Sequence, residues 1–269
     1  MKHLIILTLI FVHVLSAFGQ EGYHKHSCPS QGVVLLTIDA EYGDLVFQAW
    51  DREEISIEGE VKINGQANSQ VFNIEQNVKK GNLYVSIEAE ITDDMRIYTI
   101  NKKDGTTIYK KGKDLVIQEC DPKDIESQYY GVEVDATFVI KLPRDLALNV
   151  SSTYGDIAVN DYFKDLDVEN TYGSVDAKFT ELPAAAKISL NSTYSHVDVS
   201  IPQSTNAELR LKTEYGQVFT DLDFESEFSS KSGSSNFGQD ISAVLNNGNG
   251  LIELKANYSN IYLREISLD

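Results

Sequence analysis

The chain has 269 residues, with 41 Asp and Glu against 23 Lys and Arg, a formal net charge of −18. A field of that sign repels nucleic acid and anionic lipid and leaves cationic partners or divalent ions open. Apolar residues make up 42% of the chain, enough for one extended domain or two small ones.

The first element is a leader. Lys2 and His3 give a basic start, and an apolar run from Leu4 to Leu15 is broken only by Thr8 and His13. Ser16-Ala17-Phe18-Gly19-Gln20 then supplies small residues at Ala17 and Gly19. This layout predicts a secretory signal peptide over 1–19, cleaved after Gly19. The run is short for a bilayer core of about 30 Å, and no second long apolar run follows. The expectation is an exported chain with no transmembrane span after cleavage. Residues 20–32 read as a flexible mature N-terminus. Its His24-Lys25-His26-Ser27-Cys28 stretch holds metal-ligand residue types, but no second cluster answers it, so no metal site is expected. In an oxidising compartment Cys28 and Cys120 form a candidate disulfide.

Residues 33–145 read as an irregular N-terminal β region. Val34, Leu36, Ile38, Ala40 and Tyr42 share one phase of a period-2 pattern, and Leu45 and Phe47 take the other. Val71–Ile74, Leu83–Ile87 and Ala136–Leu142 also read as strands. Between them, about 92–130 breaks the pattern. It reads as an insertion containing a hairpin, with Lys103-Asp104-Gly105-Thr106 as its turn and Tyr129-Tyr130 beyond.

Residues 146–269 are repetitive. From Tyr154, an aromatic recurs at steps of 18, 22, 21, 22 and 21 residues, through Tyr172, Tyr194, Tyr215, Phe237 and Tyr258. Before each aromatic, apolar residues alternate, as in Leu146, Leu148, Val150 or Leu209, Leu211. A small residue follows in the same phase (Ser152, Asn170, Ser192, Thr213, Ala256), then the tyrosine. At the next Gly or Ser the phase slips by one, to Ile157, Val175, Val197, Val218 and Ile261. A strand changes phase only at a bulge or corner, which Gly tolerates. Each unit therefore reads as strand, corner, strand, loop. The predicted fold is all-β: a β-solenoid, or parallel β-helix-like repeat, of about 21 residues per coil. Coils are expected to stack in sequence order. Tyr42, Tyr154, Tyr172, Tyr194, Tyr215, Phe237 and Tyr258 are the corners, laddered on the buried side, with a sugar-stacking platform as the functional alternative. No stretch sustains a helical period.

Three segments carry a family resemblance: Gly43-Asp-Leu-Val-Phe-Gln-Ala-Trp-Asp51, the run Ile140 to Ile157, and the repeated Tyr-Gly-x-Val units. Over about 33–91 and 131–269 the chain resembles the "putative adhesin" domain family, DUF4097, of exported bacterial proteins. The Ala-Phe-Gly-Gln leader end is similar to exported Bacteroidetes proteins. The resemblance implies a β-solenoid-like fold and a cell-envelope location, and brings no catalytic residues with it. The insertion, and Ser195 and Ser259 in place of Gly, depart from the pattern.

Chemistry is sparse. Outside the leader and the mature N-terminus the one histidine is His196, on an outward position near Asp198, with no nucleophile-elbow motif beside it. Outward Asp156, Asp176 and Asp198 are expected along one sheet face, at a strand spacing of about 4.8 Å. That arrangement invites repulsion or calcium before it invites the carboxylate pair of a glycosidase. Phosphate loops, zinc motifs and Asp-rich calcium loops are absent from the sequence. The expectation is no enzyme, no cofactor and no metal. It is a non-enzymatic, adhesin-like binding or structural protein in the periplasm, on the outer membrane surface or outside the cell. Its partner is an unidentified protein or glycan and not nucleic acid, with oligomeric state open. The alternatives are a periplasmic accessory of envelope-stress signalling and a carbohydrate-active β-helix enzyme.

Overall fold

The computed structural model describes residues 22–112, 121–161, 164–224, 226–228 and 237–266. The leader read over 1–19, and Cys120 with its proposed bond to Cys28, lie outside these residues.

Each repeat is a strand, a corner and a second strand, and the two strands enter two different sheets. The first sheet holds the strands before the tyrosines: Leu35–Tyr42, Ala147–Tyr154, Leu166–Asn170, Lys187–Ser192, Gly250–Ala256 and Ala207–Thr213, in that spatial order. The second holds those after the corners: Asp44–Trp50, Ile157–Asn160, Val175–Lys178, Val197–Ile201, Ile261–Glu265 and Val218–Thr220. Neighbours within each set are parallel. The inward phase makes continuous columns. Leu36, Leu148, Leu166, Ile188, Ile252 and Leu209 stand in register across the first sheet. Leu45, Ile157, Val175, Val197 and Ile261 do so across the second. All are fully or almost fully buried, and removing this apolar surface from water is the main force holding the sheets face to face.

Five of the aspartates work at the turns. Asp44 Oδ1 accepts the Asp156 N–H (2.8 Å), Asp156 Oδ1 accepts the Ser174 N–H (2.7 Å), and Asp221 Oδ1 accepts the Glu265 N–H (2.6 Å). Asp161 and Asp165 do the same for Thr180 and Lys187. Each carboxylate satisfies a backbone donor one level away, which turns a loop into a staple between coils.

The expected stacking in sequence order is corrected. The C-terminal coil, 250–265, lies between the coil at 187–201 and the coil at 207–220. The cause is Asp240–Leu245, which pairs antiparallel with Ala207–Thr213 on its outer side. To run parallel again, the chain must recross to the inner side. It does so through Asn246 and Gly248, both at positive φ. Asn246 Nδ2 donates to the Gln203 and Thr205 carbonyls (2.8 and 2.7 Å) and pins the crossing. Phe237 is therefore not a coil corner. Its segment passes over the Tyr215 corner, where Gln239 Oε1 accepts the Val218 N–H (2.6 Å) and its own N–H donates to Thr213 Oγ1 (2.9 Å).

At the other end, Asn82–Ala89 runs parallel to Leu35–Tyr42, and Val134–Pro143 parallel to Asp44–Trp50. They make one more level, with the insertion in place of the tyrosine corner. Glu54–Ile63 and Phe72–Lys79 add antiparallel strands outside them. The lead-in expected to be flexible contains a strand, Tyr23–Pro29, antiparallel to Glu54–Ile63. His26 Nε2 meets Gln76 Oε1 at 2.9 Å, tying that edge to the opposite sheet. The insertion carries the predicted hairpin, Ile97–Lys102 and Thr107–Lys111, with Asp104 Oδ1 accepting the Thr106 N–H (2.8 Å). A third strand, Ile125–Gly131, pairs with Ile97–Lys102, so the unit is a three-stranded sheet.

Candidate interaction surface

The corners are built from the inside out. The small residue before each tyrosine points inward, and at Asn170, Ser192 and Thr213 its side chain hydrogen-bonds the turn. Asn170 Nδ2 donates to the Gly155 and Ser174 carbonyls (2.8 and 3.0 Å), and its Oδ1 accepts the Gly173 N–H (3.3 Å). The Ser192 hydroxyl donates to the Gly173 carbonyl (2.8 Å), and that of Thr213 to the Gly216 carbonyl (2.7 Å). The Ser152 hydroxyl is buried without a partner among the described residues. After the tyrosine the chain passes so close to the previous level that a Cβ on Gly173 would overlap the Gly155 carbonyl.

That crowding leaves no room for a ring inside the corner. Tyr154, Tyr172, Tyr194, Tyr258 and Tyr215, expected on the buried side, stand out along the edge and are half exposed, from 43% at Tyr154 to 54% at Tyr215, while Tyr42 at the end is partly buried against the core. They stack on one another in the order Tyr42, Tyr154, Tyr172, Tyr194, Tyr258, Tyr215. Centroids are 4.9–5.1 Å apart, with interplanar angles of 4–15°. The spacing is that of neighbouring strands, so the backbone ladder imposes the aromatic one. Phe237, 70% exposed, has no ring contact among the described residues.

The geometry decides what the ladder offers. Both faces of each interior ring are covered by its neighbours, so ring-face stacking of a sugar is confined to the two ends. Along the length, ring edges and phenol hydroxyls are open. The four interior triplets carry no charge, Thr153-Tyr154-Gly155, Thr171-Tyr172-Gly173, Thr193-Tyr194-Ser195 and Asn257-Tyr258-Ser259, although exposed Asp156 follows the first of them. Glu41 and Glu214 stand only at its two ends, beside Tyr42 and Tyr215. Burial, and then the charge of Glu41, push the Tyr42 phenol above its ordinary pKa. Beside Tyr42 lies a depression of about 210 Å³, with Asp44 and Asp135 on its wall.

The other candidates sit elsewhere. Asp176 and Asp198 are register partners on the outer face of the second sheet. Asp198 is held by Arg264 through Nε and Nη2, both at 2.8 Å, and Asp176 lies 3.4 Å from His196 Nε2. Asp156 is not in that row; it is the corner staple described above. Arg264, with Tyr262 and Phe219 stacked at 5.4 Å beside it, was not singled out from the sequence, although their outward phase after Ile261 and Val218 was readable. The shallow depression here, about 240 Å³, has these paired charges on its walls.

His24, His26 and Cys28 share one face of their strand, but His24 is engaged by the Ser69 carbonyl and His26 by Gln76. Cys28 is buried and makes no disulfide among the described residues; burial pushes its thiol up to about 11. No group of three or more His, Cys, Asp or Glu converges on a common point among the described residues. On the insertion, Tyr129 and Tyr109 flank Thr99 in register, both exposed. The guanidinium of Arg96 lies 5.7 Å from the Tyr130 ring centroid. No described helix is long and apolar enough to cross a membrane.

Residues 125–253, just under half of the chain, match the family model described as Toastrack DUF4097. That is the family the repeats resemble, and its β-solenoid-like fold is the fold seen here. The structure is also similar to a crystal structure from Clostridium sporogenes ATCC 15579, described as that of "a putative cell adhesion protein". The TM-score is 0.57 at 12% identity, covering 91% of this chain and 99% of that one. At that identity the likeness speaks for the fold alone. No curated protein matches the sequence.

Proposed function

We propose that this chain, which carries a Toastrack DUF4097 domain over 125–253, is a non-enzymatic, adhesin-like protein of the cell envelope. It works by presenting its tyrosine edge to a protein or glycan partner. The observation that carries this reading is the tyrosine strip over six levels, half exposed and uncharged at its interior triplets, in a chain with net charge −18. Tyrosine gives large, stiff, amphipathic contact area at low entropic cost, and charge depletion marks the centre of interfaces. The outward aspartates weighed for hydrolysis, Asp198, Asp176 and Asp156, are engaged by Arg264, by His196 and by the turn backbone respectively. The basic start and apolar run before Gly19 support export.

The test is binding of the purified chain to glycan panels and to intact cells, comparing the wild type with Tyr172→Ala/Tyr194→Ala. Circular dichroism confirms that the variant is folded. At least about tenfold weaker binding by the folded variant is expected; undiminished binding would remove the strip from the function. Protease shaving of intact producing cells addresses location, and protection of the chain would count against a surface role.

A further inference from the structure

The strip has a second property that narrows its partner. It is a periodic object: six rings in five steps of 4.9–5.1 Å, about 25 Å from Tyr42 to Tyr215. A rigid periodic edge is matched along its full length only by an edge of the same period. Strand spacing sets that period, so a second copy of this chain carries the match by construction. Ring faces are closed along the ladder, which disfavours a sugar polymer lying on it. Ring edges and hydroxyls are open, which suits packing of one row of edges into the grooves of another, as in the dry contacts between β-ladders.

Charge points the same way. Two bodies of net charge −18 repel over most orientations, and a contact survives only where neither side brings charge. The four interior Thr/Asn-Tyr-Gly/Ser triplets are such a place. Area is modest: the exposed half of a tyrosine ring system is on the order of 100 Å², so the five half-exposed rungs bury roughly 500 Å² per copy. About 1,000 Å² in total is at the threshold of a specific interface and suits a weak, reversible contact. A two-fold pairing of one patch with itself closes and does not propagate into a fibre.

We infer that the tyrosine edge is a homotypic contact: two copies of this chain pair ladder against ladder, giving adhesion between like molecules. The inference rests on the reading of the strip as the binding surface, and it names the partner. Its electrostatic signature is distinctive. Because overall charge opposes pairing, salt strengthens it by screening, whereas a cationic partner would be lost.

The experiment is sedimentation equilibrium of the full mature chain at 20 and 300 mM NaCl, for the wild type and for Thr171→Glu/Thr193→Glu. That variant leaves all six rungs in place and adds charge beside the central two. The expected result is a monomer–dimer equilibrium, tighter at high salt, with at least about tenfold weaker association in the variant at the same melting temperature. A monomer at all concentrations, with strip-dependent binding to glycans or cells intact, would overturn the homotypic pairing and leave the binding surface standing. Association untouched by the two glutamates would place the contact elsewhere and overturn the inference. Should the variant melt earlier, Thr171→Ser/Thr193→Ser must restore wild-type association, or the inference fails.

Discussion

Tyr194 stacks on Tyr258, 64 residues further along the chain, with centroids 5.1 Å apart and planes 10° from parallel, and not on Tyr215, which follows it by 21. Tyr258 in turn carries Tyr215 on its other face at 5.0 Å. The last coil of the chain is thus an interior rung, and Tyr215 is the terminal one.

A double-mutant cycle reads this order directly. Each stacked pair is worth about 0.5–1.5 kcal/mol beyond burial. Tyr258→Ala, losing two partners, is expected to cost about 1–3 kcal/mol in urea denaturation, and Tyr215→Ala about half of that. The coupling energy of Tyr194 with Tyr258 should fall near 1 kcal/mol, and that of Tyr194 with Tyr215 near zero. The reverse pattern would contradict the topology.

Asn170 and Ser152 occupy the same corner position one level apart, in register. Asn170 makes three hydrogen bonds, two of them buried, and Ser152 Oγ makes none among the described residues. Asn170→Ala strands buried backbone groups and is expected to cost about 2–4 kcal/mol. Ser152→Ala removes an unsatisfied hydroxyl and should be neutral or stabilising by about 1 kcal/mol. Equal losses at the two sites would show that the hydroxyl is bonded in solution.

Gly173→Ala puts a methyl group into the Gly155 carbonyl. Backbone on both sides is held by coil-to-coil hydrogen bonds, so the level must move as a whole. The expected loss is about 3 kcal/mol or more, measured by thermal or urea unfolding. A variant as stable as the parent would mean that the corner has room for the methyl group.

Cys28 should be inert while the chain is folded. With the thiol pushed up to about 11 by burial, its thiolate population near pH 8 falls roughly a hundredfold below that of an ordinary cysteine. Labelling by a thiol reagent, followed at Cys28 by peptide mass mapping, is expected to be at least that much slower in the folded chain than in urea. Comparable rates would place the residue on the surface.

Glu58 gives one acid-sensitive contribution. The hydrogen bond from Lys25, whose Nζ lies 3.1 Å away, holds the carboxyl below its usual range. A depressed folded value means stability that is present above the unfolded pKa of about 4.3 and is lost as pH falls through the folded value. Glu58→Gln should flatten this part of the acid limb of a stability–pH profile and leave the profile above pH 6 parallel to the parent's. An unchanged acid limb would assign the sensitivity to other carboxylates.

What the sequence by itself determined is the anatomy of one coil. Alternation marked Leu148 and Val150 as inward, the phase slip after Tyr154 marked the corner, and Lys103-Asp104-Gly105-Thr106 marked the hairpin turn. These signals are local, because side-chain direction along a strand and the backbone freedom of a glycine depend on a few neighbouring residues. The tertiary structure alone decided which coil lies on which. Every repeat strand offers the same aliphatic column and the same backbone ladder, so the levels are nearly interchangeable until a single strand breaks the symmetry. Asp240–Leu245 does so by pairing antiparallel with Ala207–Thr213, and the recrossing pinned by Asn246 then seats 250–265 between two earlier coils. The exposure of the tyrosines was decided in the same way. A period of two fixes a side of the strand, but at a corner that side is already filled by Ser192, Asn170 and the carbonyl of the next level, and the rings are left to pack on each other.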